Sequence, residues 1–293
     1  MKNAVTILGA RGSVGVSGAE YAKYGGATTC AVARLSGRPV VLDAGTGLMN
    51  LPADCLDAPS LPLLLTHPHV DHLLGLPLCP YVMRRGARLD VYAVGRGGLD
   101  AEAQIRRLLS PPLWPVGPER LPADIRFHDL PAEFYLYPAP DTEKRQGARD
   151  AIQTLTDTEK RQGAPIRVRT MEGVHPGGVT LLRLDCDGKS VAFLTDCTLT
   201  DALRPRALSF AADCSLLLCD GQYSGAEWPS RSGFGHSPWT AAAQFARDCG
   251  ARQARVIHHD PFHTDAVLDA ASEELDAIFD GCSFAREGEE IIL

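Results

Sequence analysis

The sequence predicts an α/β fold, a layered sandwich in which helices cover mixed sheets. Two observations lead to this prediction. Short stretches of branched and apolar residues, typical of strands, recur along the whole chain. The early stretches follow one another directly, whereas the later ones alternate with helical patterns. This order fits a layered α/β protein better than a helical bundle or a pure β barrel.

The strand-like stretches begin close to the first residue. They cover residues 4–8, 28–35, 38–43, 61–66, 89–94, 166–171, 178–184, 190–195, 215–219 and 254–258. Residues 134–137 (FYLY) and 166–170 (IRVRT) also look like the two paired strands of one hairpin.

Helical patterns cover residues 98–109, 199–212, 238–249 and 264–279. Ser237 followed by Pro238 is typical of a helix start, so we expect Ser237 to cap the third helix. One apolar face of the last helix contains Leu268, Ala271, Leu275 and Ile278.

We expect one domain, residues 1–293, because strand patterns resume on both sides of the proline-rich residues 110–122. The octapeptide DTEKRQGA occurs at 141–148 and again at 157–164. This duplicated polar insertion, at about 141–164, is predicted to form the tip of the hairpin, which proteins tolerate well. Its functional alternative is a lid over a nearby site.

Composition excludes several classes of protein. Hydrophobic residues make up 45% of the chain and charged residues 22%, and no apolar run is long enough to span a membrane. Residues 1–9 fit a first strand better than a signal peptide, so we expect a cytoplasmic protein. The nine cysteines include no Cys-x-x-Cys pair and are predicted to be reduced and structural. A formal net charge of −7 disfavours a long nucleic-acid partner. A homodimer is compatible with the composition.

Eight of the nine histidines fall into four short segments, and only His128 stands apart. The densest segment is THPHVDH at 66–72, in which His67 and His69 follow an apolar strand. Residues two apart in an extended chain point to the same side, so these two imidazoles can bind one cation together. The chain must then turn, which directs Asp71 and His72 towards a second cation. Such a nitrogen and oxygen donor set suits Zn²⁺, with Mn²⁺ or Fe²⁺ as alternatives.

This segment, preceded by DAGTGL at 43–48, resembles the signature of the metallo-β-lactamase-fold hydrolases. Further motifs continue in the order of that superfamily: VHPGG at 174–178, FLTD at 193–196, GHS at 235–237 and VIHHDP at 256–261. The resemblance covers the chain apart from the duplicated insertion. It implies a four-layer αββα sandwich with two divalent metal ions at one edge.

The resemblance also implies the metal ligands. His67, His69 and His175 would hold the first ion, Asp71, His72 and His258 the second, and Asp196 would bridge both. Within the last segment, His258, His259 and His263 could each reach a metal. We favour His258 because it ends the strand, with His259 and His263 as outer or substrate contacts.

Gly235-His236-Ser237 resembles the motif of the ribonuclease Z and cyclic-nucleotide phosphodiesterase branch, in which this histidine protonates the leaving alkoxide. Asp71 and His236 are therefore the candidate catalytic residues, and a hydroxide shared by the two ions would be the nucleophile. The start of the helix after His236 would also favour a phosphate oxygen. Asp220, in DGQYS, is a further candidate contact in a segment that the branch also carries, and GARGS at 9–13 resembles its opening turn.

We therefore expect a metal-dependent phosphodiesterase acting on a small cyclic or diester phosphate. One alternative is a ribonuclease Z-like tRNA 3'-end endonuclease, although the chain has no basic glycine-proline arm and the insertion alternates acids with bases. A thioester or lactone hydrolase, or a non-catalytic metal-binding sensor of the same fold, would share these metal ligands. Pro68, between the first two histidines, departs from the family pattern and would stiffen that loop.

Overall fold

Two seven-stranded sheets pack face to face in the computed structural model, which describes residues 3–136 and 164–293. The first sheet has the order β14-β1-β2-β3-β4-β5-β6. Its strands are β1 (Ala4–Gly9), β2 (Cys30–Leu35), β3 (Arg38–Leu42), β4 (Ser60–Leu64), β5 (Arg88–Ala93), β6 (Asp124–Asp129) and β14 (Glu290–Ile292). Strands β3 to β6 are parallel to one another, and the others are antiparallel to their neighbours.

The second sheet has the order β13-β12-β11-β10-β9-β8-β7. Its strands are β7 (Glu133–Leu136), β8 (Ile166–Glu172), β9 (Thr180–Cys186), β10 (Lys189–Leu194), β11 (Leu216–Asp220), β12 (Ala254–Ile257) and β13 (Cys282–Phe284). Strands β10 to β13 are parallel, so both sheets are mixed, as the sequence predicts.

Helices cover the outer face of each sheet. Those of the described residues are α1 (Ala53–Leu56), α2 (Ala101–Leu108), α3 (Arg204–Ala211), α4 (Trp228–Arg231), α5 (Trp239–Asp248) and α6 (Asp265–Ile278). Helix α2 packs on the first sheet, whereas α3, α5 and α6 pack on the second.

Strand alternation explains the layers. In β10, Val191 and Phe193 point into the core between the two sheets, whereas Ala192 and Leu194 point into the core under the helices. Because successive side chains of a strand face opposite sides, a strand buried on both faces is apolar throughout. The predicted α/β sandwich, with its αββα layers, is confirmed.

Three strands have no counterpart in the sequence prediction: β6, β13 and β14. β6 reads DIRFHD, which is too polar to be recognised as a strand, and the other two have only three residues each. The predicted hairpin of FYLY with IRVRT is confirmed, because Leu136 pairs with Ile166. Residues 141–163 of the duplicated insertion lie outside the described residues.

The predicted helix cap at Ser237 is wrong. The N-cap residue of α5 is Pro238, and no side chain caps this helix. Ser237 Oγ instead donates to the Cys197 carbonyl at 2.7 Å and accepts from the Leu199 N–H at 3.0 Å. Its hydroxyl therefore joins two loops rather than starting a helix.

All nine cysteines are buried and free. Burial raises the pKa of Cys197 to about 12, with smaller effects from the Val174 backbone and from Asp220, so its thiol stays protonated near neutral pH. No helix within the described ranges is long and apolar enough to cross a membrane.

Candidate metal centre

Five strands of the two sheets end at one edge of the sandwich, and polar residues follow each of them. Asp43 follows β3, His67 comes after β4, Asp196 after β10, Asp220 ends β11 and His258 follows β12. These strands are parallel to a neighbour, so their carboxyl ends lie together, as at the ligand sites of many α/β proteins.

The chain turns sharply at three of these positions. Asp43, Asp196 and His258 have φ values of 58°, 49° and 65°, in the left-handed region that non-glycine residues rarely adopt. Such backbone strain costs about 1–3 kcal/mol per residue and is concentrated at functional sites. Here it turns each side chain into the same small volume.

The first group of converging side chains contains His67, His69, His175 and Asp196. His67 Nε2 lies 3.0 Å from His69 Nδ1, and His175 Nε2 lies 3.1 Å from the same atom. His67 is buried and His175 half-buried, whereas His69 is exposed. The group therefore opens to solvent on the His69 side.

The second group contains Asp71, His72, Asp196 and His258. Asp71 Oδ2 lies 3.2 Å from Nε2 of His72 and 3.2 Å from Nε2 of His258. A 3₁₀ turn over Val70–His72 separates this group from the first one, as the sequence predicts for a chain that must turn after His69.

Asp196 belongs to both groups, and its two oxygens divide between them. Oδ2 lies 3.6 Å from His67 Nε2 and 3.7 Å from His175 Nε2. Oδ1 lies 3.1 Å from His72 Nε2 and 3.2 Å from His258 Nε2. One carboxylate thus faces two sets of imidazole nitrogens, which is the geometry of a bridging ligand.

The outer nitrogens of the histidines are held in place by the protein. His67 Nδ1 lies 3.0 Å from Thr66 Oγ1, His72 Nδ1 lies 2.8 Å from Asp43 Oδ2, and His175 Nδ1 lies 3.0 Å from the Gly235 carbonyl. Metal-binding histidines are typically oriented by such contacts at the other ring nitrogen. The inner nitrogen of each ring is then directed into the cluster.

This donor set fits a divalent metal. Nε2 of His72 is buried and forms no hydrogen bond, although two carboxylates lie next to it. Buried polar atoms without a hydrogen bond are rare and call for a partner. Imidazole and carboxylate donors without thiolate match the preferences of zinc, iron and manganese.

The two groups differ in their charge. Burial lowers the pKa of His67 well below its usual value and also lowers that of His175, so both rings are neutral and keep a lone pair. For His258, burial would lower the pKa, but the carboxylates of Asp196 and Asp71 raise it to about 9. The second group thus attracts positive charge more strongly than the first.

His236 lies beside the cluster with a carboxylate behind it. Its Nδ1 lies 2.7 Å from Asp220 Oδ2, and its ring stacks on that of His258 with centroids 4.7 Å apart. Asp220 is buried and fixed, because its carboxylate also accepts hydrogen bonds from the N–H groups of Cys197 and Gln222. His236 Nε2 forms no hydrogen bond with the described residues and is free to meet a ligand.

The three histidines of the last histidine-rich segment lie in different surroundings. His258 lies in the cluster, whereas His259 Nε2 bonds the Ala285 carbonyl at 2.9 Å and His263 Nε2 lies 3.0 Å from Glu227 Oε1. Among residues 3–136 and 164–293, neither His259 nor His263 belongs to a group that could hold a metal. The isolated His128 lies on β6, and its Nε2 is 2.9 Å from Asp90 Oδ1.

The N-terminus of α5 has fewer free backbone N–H groups to bind a phosphate than the sequence predicts. The first helical N–H group, of Trp239, donates to the Tyr223 carbonyl at 2.9 Å, and the Ala241 and Ala242 N–H groups donate to the Pro238 carbonyl. The anion-binding role expected for this helix end therefore has little backbone support.

Comparison with known proteins identifies the family. The model of the β-lactamase superfamily domain matches residues 38–259, which include all seven side chains of the two groups. The chain belongs to the β-lactamase superfamily. This match confirms the resemblance that the histidine motifs indicate. No curated protein matches the chain significantly.

Several solved structures share the fold of this chain. The metallo-β-lactamase fold protein YhfI from Bacillus subtilis is 15% identical, with a TM-score of 0.67 over 99% of each chain. A diphosphatase of the PhnP family is 17% identical, with a TM-score of 0.66 over 100% of this chain and 98% of that one. The short form of human tRNase Z is 19% identical, with a TM-score of 0.64 over 98% of each chain.

Three residues of this superfamily site escaped the sequence analysis. Asp43 orients His72, Ser13 donates its N–H to Asp71 Oδ2 at 2.8 Å, and Gly12 lies against the His258 ring. DAGTGL and GARGS are recognisable as motifs, but their contacts join residues far apart in the chain. Each of the three residues lies in a recognisable motif, but the motif does not indicate which side chain the residue contacts.

Proposed function

We propose that this protein is a metal-dependent phosphodiesterase that acts on a small cyclic or diester phosphate. The observation that favours this function most is the Asp220–His236 pair beside the cluster, with Nδ1 of His236 2.7 Å from the carboxylate and Nε2 free. A thioester releases a thiolate, which is a much weaker base than an alkoxide, so a thioesterase has no need of a general acid at this place.

Two divalent ions, with zinc favoured by the donor set, are proposed to bind the two groups through Asp196. When bound, such ions polarise a phosphoryl oxygen and lower the pKa of water. The proposed ligands are His67, His69 and His175 for the first ion and Asp71, His72 and His258 for the second. Asp71 is held for this role by the Ser13 N–H.

His236 is proposed as the general acid. Because Asp220 accepts the proton on Nδ1, the proton available for transfer is the one on Nε2, which has no hydrogen-bond partner among the described residues. An alkoxide is a strong base and leaves only when it is protonated, whereas nitrophenolate leaves unaided. General acid catalysis contributes roughly 10²- to 10⁴-fold where that proton is needed.

A small substrate fits the charge of the chain better than tRNA does. The formal net charge is −7, and phosphate-rich polymers bind through many basic contacts. The alternative of tRNA 3'-end cleavage is supported by the similarity to the short form of human tRNase Z, which shows the fold alone. A precursor tRNA therefore belongs in the substrate panel.

The His236→Ala variant tests the proposal. We expect turnover of a cyclic nucleotide or an alkyl diester to fall about 100-fold or more, while a nitrophenyl diester is spared and metal content is unchanged. His128→Ala is the matched control, because His128 also pairs with an aspartate but lies away from the cluster. Equal losses on both substrates would contradict the acid role, and loss of metal would make His236 a ligand, since His236, Asp220 and His258 also form a group that could hold an ion.

A further inference from the structure

A pocket of about 300 Å³ opens beside the metal centre. Its apolar wall is formed by Pro68, Val70, Leu73, Leu99, Leu108 and Leu113. Val70 and Leu113 are exposed by 56% and 69%, so the rim presents apolar surface to solvent. Contiguous apolar surface of this kind is typical of sites for ligands.

Gln104 and two arginines complete the lining. Arg96 is held inside the wall, with Nη1 2.8 Å from Glu172 Oε1 and Nη2 2.7 Å from Thr180 Oγ1, while its Nε is buried and has no partner. Arg107 is exposed on α2 and forms no hydrogen bond or ion pair with any described residue. The pocket thus combines an apolar wall with a free positive charge.

The pocket adjoins the proposed metal site through two of its lining residues, Pro68 and Arg96. Pro68 stands between His67 and His69 in the chain. Arg96 packs closely against Gly178, since a Cβ atom added to Gly178 would lie only 2.0 Å from Nη1 of Arg96. Gly178 closes the turn after His175, because its N–H donates to the His175 carbonyl. A substrate atom at the cluster therefore has this pocket as its neighbour on the His69 side.

Two other cavities have a different character. One, of about 400 Å³, lies between α5 and α6 and contains the Glu274 carboxylate, which accepts a hydrogen bond from the Trp239 indole. The other, of about 410 Å³, is lined by polar residues that include Asp185 and Asp213. The first has one carboxylate and no basic residue in its wall, and the second has three carboxylates beside its three basic residues, so an anion is less favourable in either of them.

We propose that the pocket beside Pro68 binds an aromatic or other apolar substituent of the substrate that carries an anionic group, with Arg107 pairing with that group. This inference rests on the proposed phosphodiesterase function for the identity of the substrate. His236 contacts the rings of His175 and His258, whereas the pocket is lined by Pro68 and Val70, the two chain neighbours of His69. The substituent in the pocket is therefore the one that stays on the phosphate, not the leaving group.

Binding is tested without turnover by titration with 1-anilinonaphthalene-8-sulfonate, a fluorescent aromatic anion. We expect Arg107→Glu and Leu113→Glu each to weaken binding about tenfold, because a like charge then faces the sulfonate. Arg120→Glu and Val116→Glu are the matched controls, since both residues are exposed and neither lines the pocket. Melting temperatures verify that all four variants are folded. Equal affinity in all variants, or equal weakening in the controls, would overturn the proposal.

A second measurement connects the pocket to the reaction. Methyl 4-nitrophenyl phosphate and 4-carboxyphenyl 4-nitrophenyl phosphate share a leaving group and differ in the group that stays. We expect a lower KM for the aromatic diester in the wild-type protein, and loss of that preference in Arg107→Glu. Hydrolysis without such a preference contradicts the pocket proposal. If the metal-loaded protein hydrolyses no diester, the proposed function fails, while the dye titration still decides the pocket.

Discussion

The carboxylate of Asp43 lies 2.8 Å from Nδ1 of His72, and Thr66 holds that carboxylate through both its N–H and its hydroxyl. Asp43 and His72 are both fully buried. With a metal ion bound to Nε2, this contact would hold the ring proton of His72 on Nδ1 and leave the lone pair of Nε2 for the ion. The aspartate that follows β3 therefore orients a ring in the 3₁₀ turn that comes after β4.

The Asp43→Asn variant is expected to bind metal about 10- to 100-fold more weakly. The amide can present its NH₂ group to Nδ1, which favours the ring tautomer whose proton lies on Nε2, facing the cluster. A competition titration with a chromophoric chelator measures the affinity. Asp90→Asn is the control, because Asp90 also pairs with a histidine, at Nε2 of His128, away from the cluster. Unchanged affinity in Asp43→Asn would show that the contact only supports the fold.

Gly12→Ala is expected to displace His258 without changing any proposed ligand. A Cβ at Gly12 would lie 2.2 Å from His258 Nδ1, far inside van der Waals contact, and the buried ring has no room to retreat. Elemental analysis should show loss of part of the metal. Gly225→Ala, where nothing lies within 4 Å of the added atom, is the control. Full metal content in Gly12→Ala would indicate that His258 is not a ligand.

The sequence predicts the sandwich well because its inner strands are buried on both faces and read as continuous apolar runs. β6 was missed because it lies at a sheet edge, where half-exposed residues such as Arg126 and His128 replace that pattern. The histidine clusters were visible because seven donors fall into short motifs. The residues that orient those donors could not be recognised from the sequence. Asp43 and Ser13 contact residues far away in the chain, so no characteristic sequence spacing marks these contacts.

Asp196→Ala is expected to remove the residue shared by the two groups, with a loss of metal and of activity. An aspartate after an apolar strand can also be a helix cap, whose loss costs about 1 kcal/mol of stability. In the structure α3 begins only at Arg204, with Leu203 as its N-cap residue, so Asp196 caps no helix there. Metal analysis of protein purified without chelator should give about two ions per chain for the wild type. Asp201→Ala, an exposed aspartate of the following loop, is the control, and two ions in Asp196→Ala would contradict the bridge.

Deletion of residues 141–156 removes one copy of the repeat and its spacer, and rejoins the chain at an identical Asp-Thr-Glu. We expect the melting temperature to change little, because β7 and β8 pair up to Leu136 and Ile166 and loop closure depends only weakly on loop length. A variant with the same residues replaced by a glycine-serine stretch of equal length separates the effect of length from that of sequence. A fall of more than roughly 4 °C in the deletion would mean that the insertion packs against the domain. A normal melting temperature with an altered KM in both variants would instead favour a lid over the metal centre.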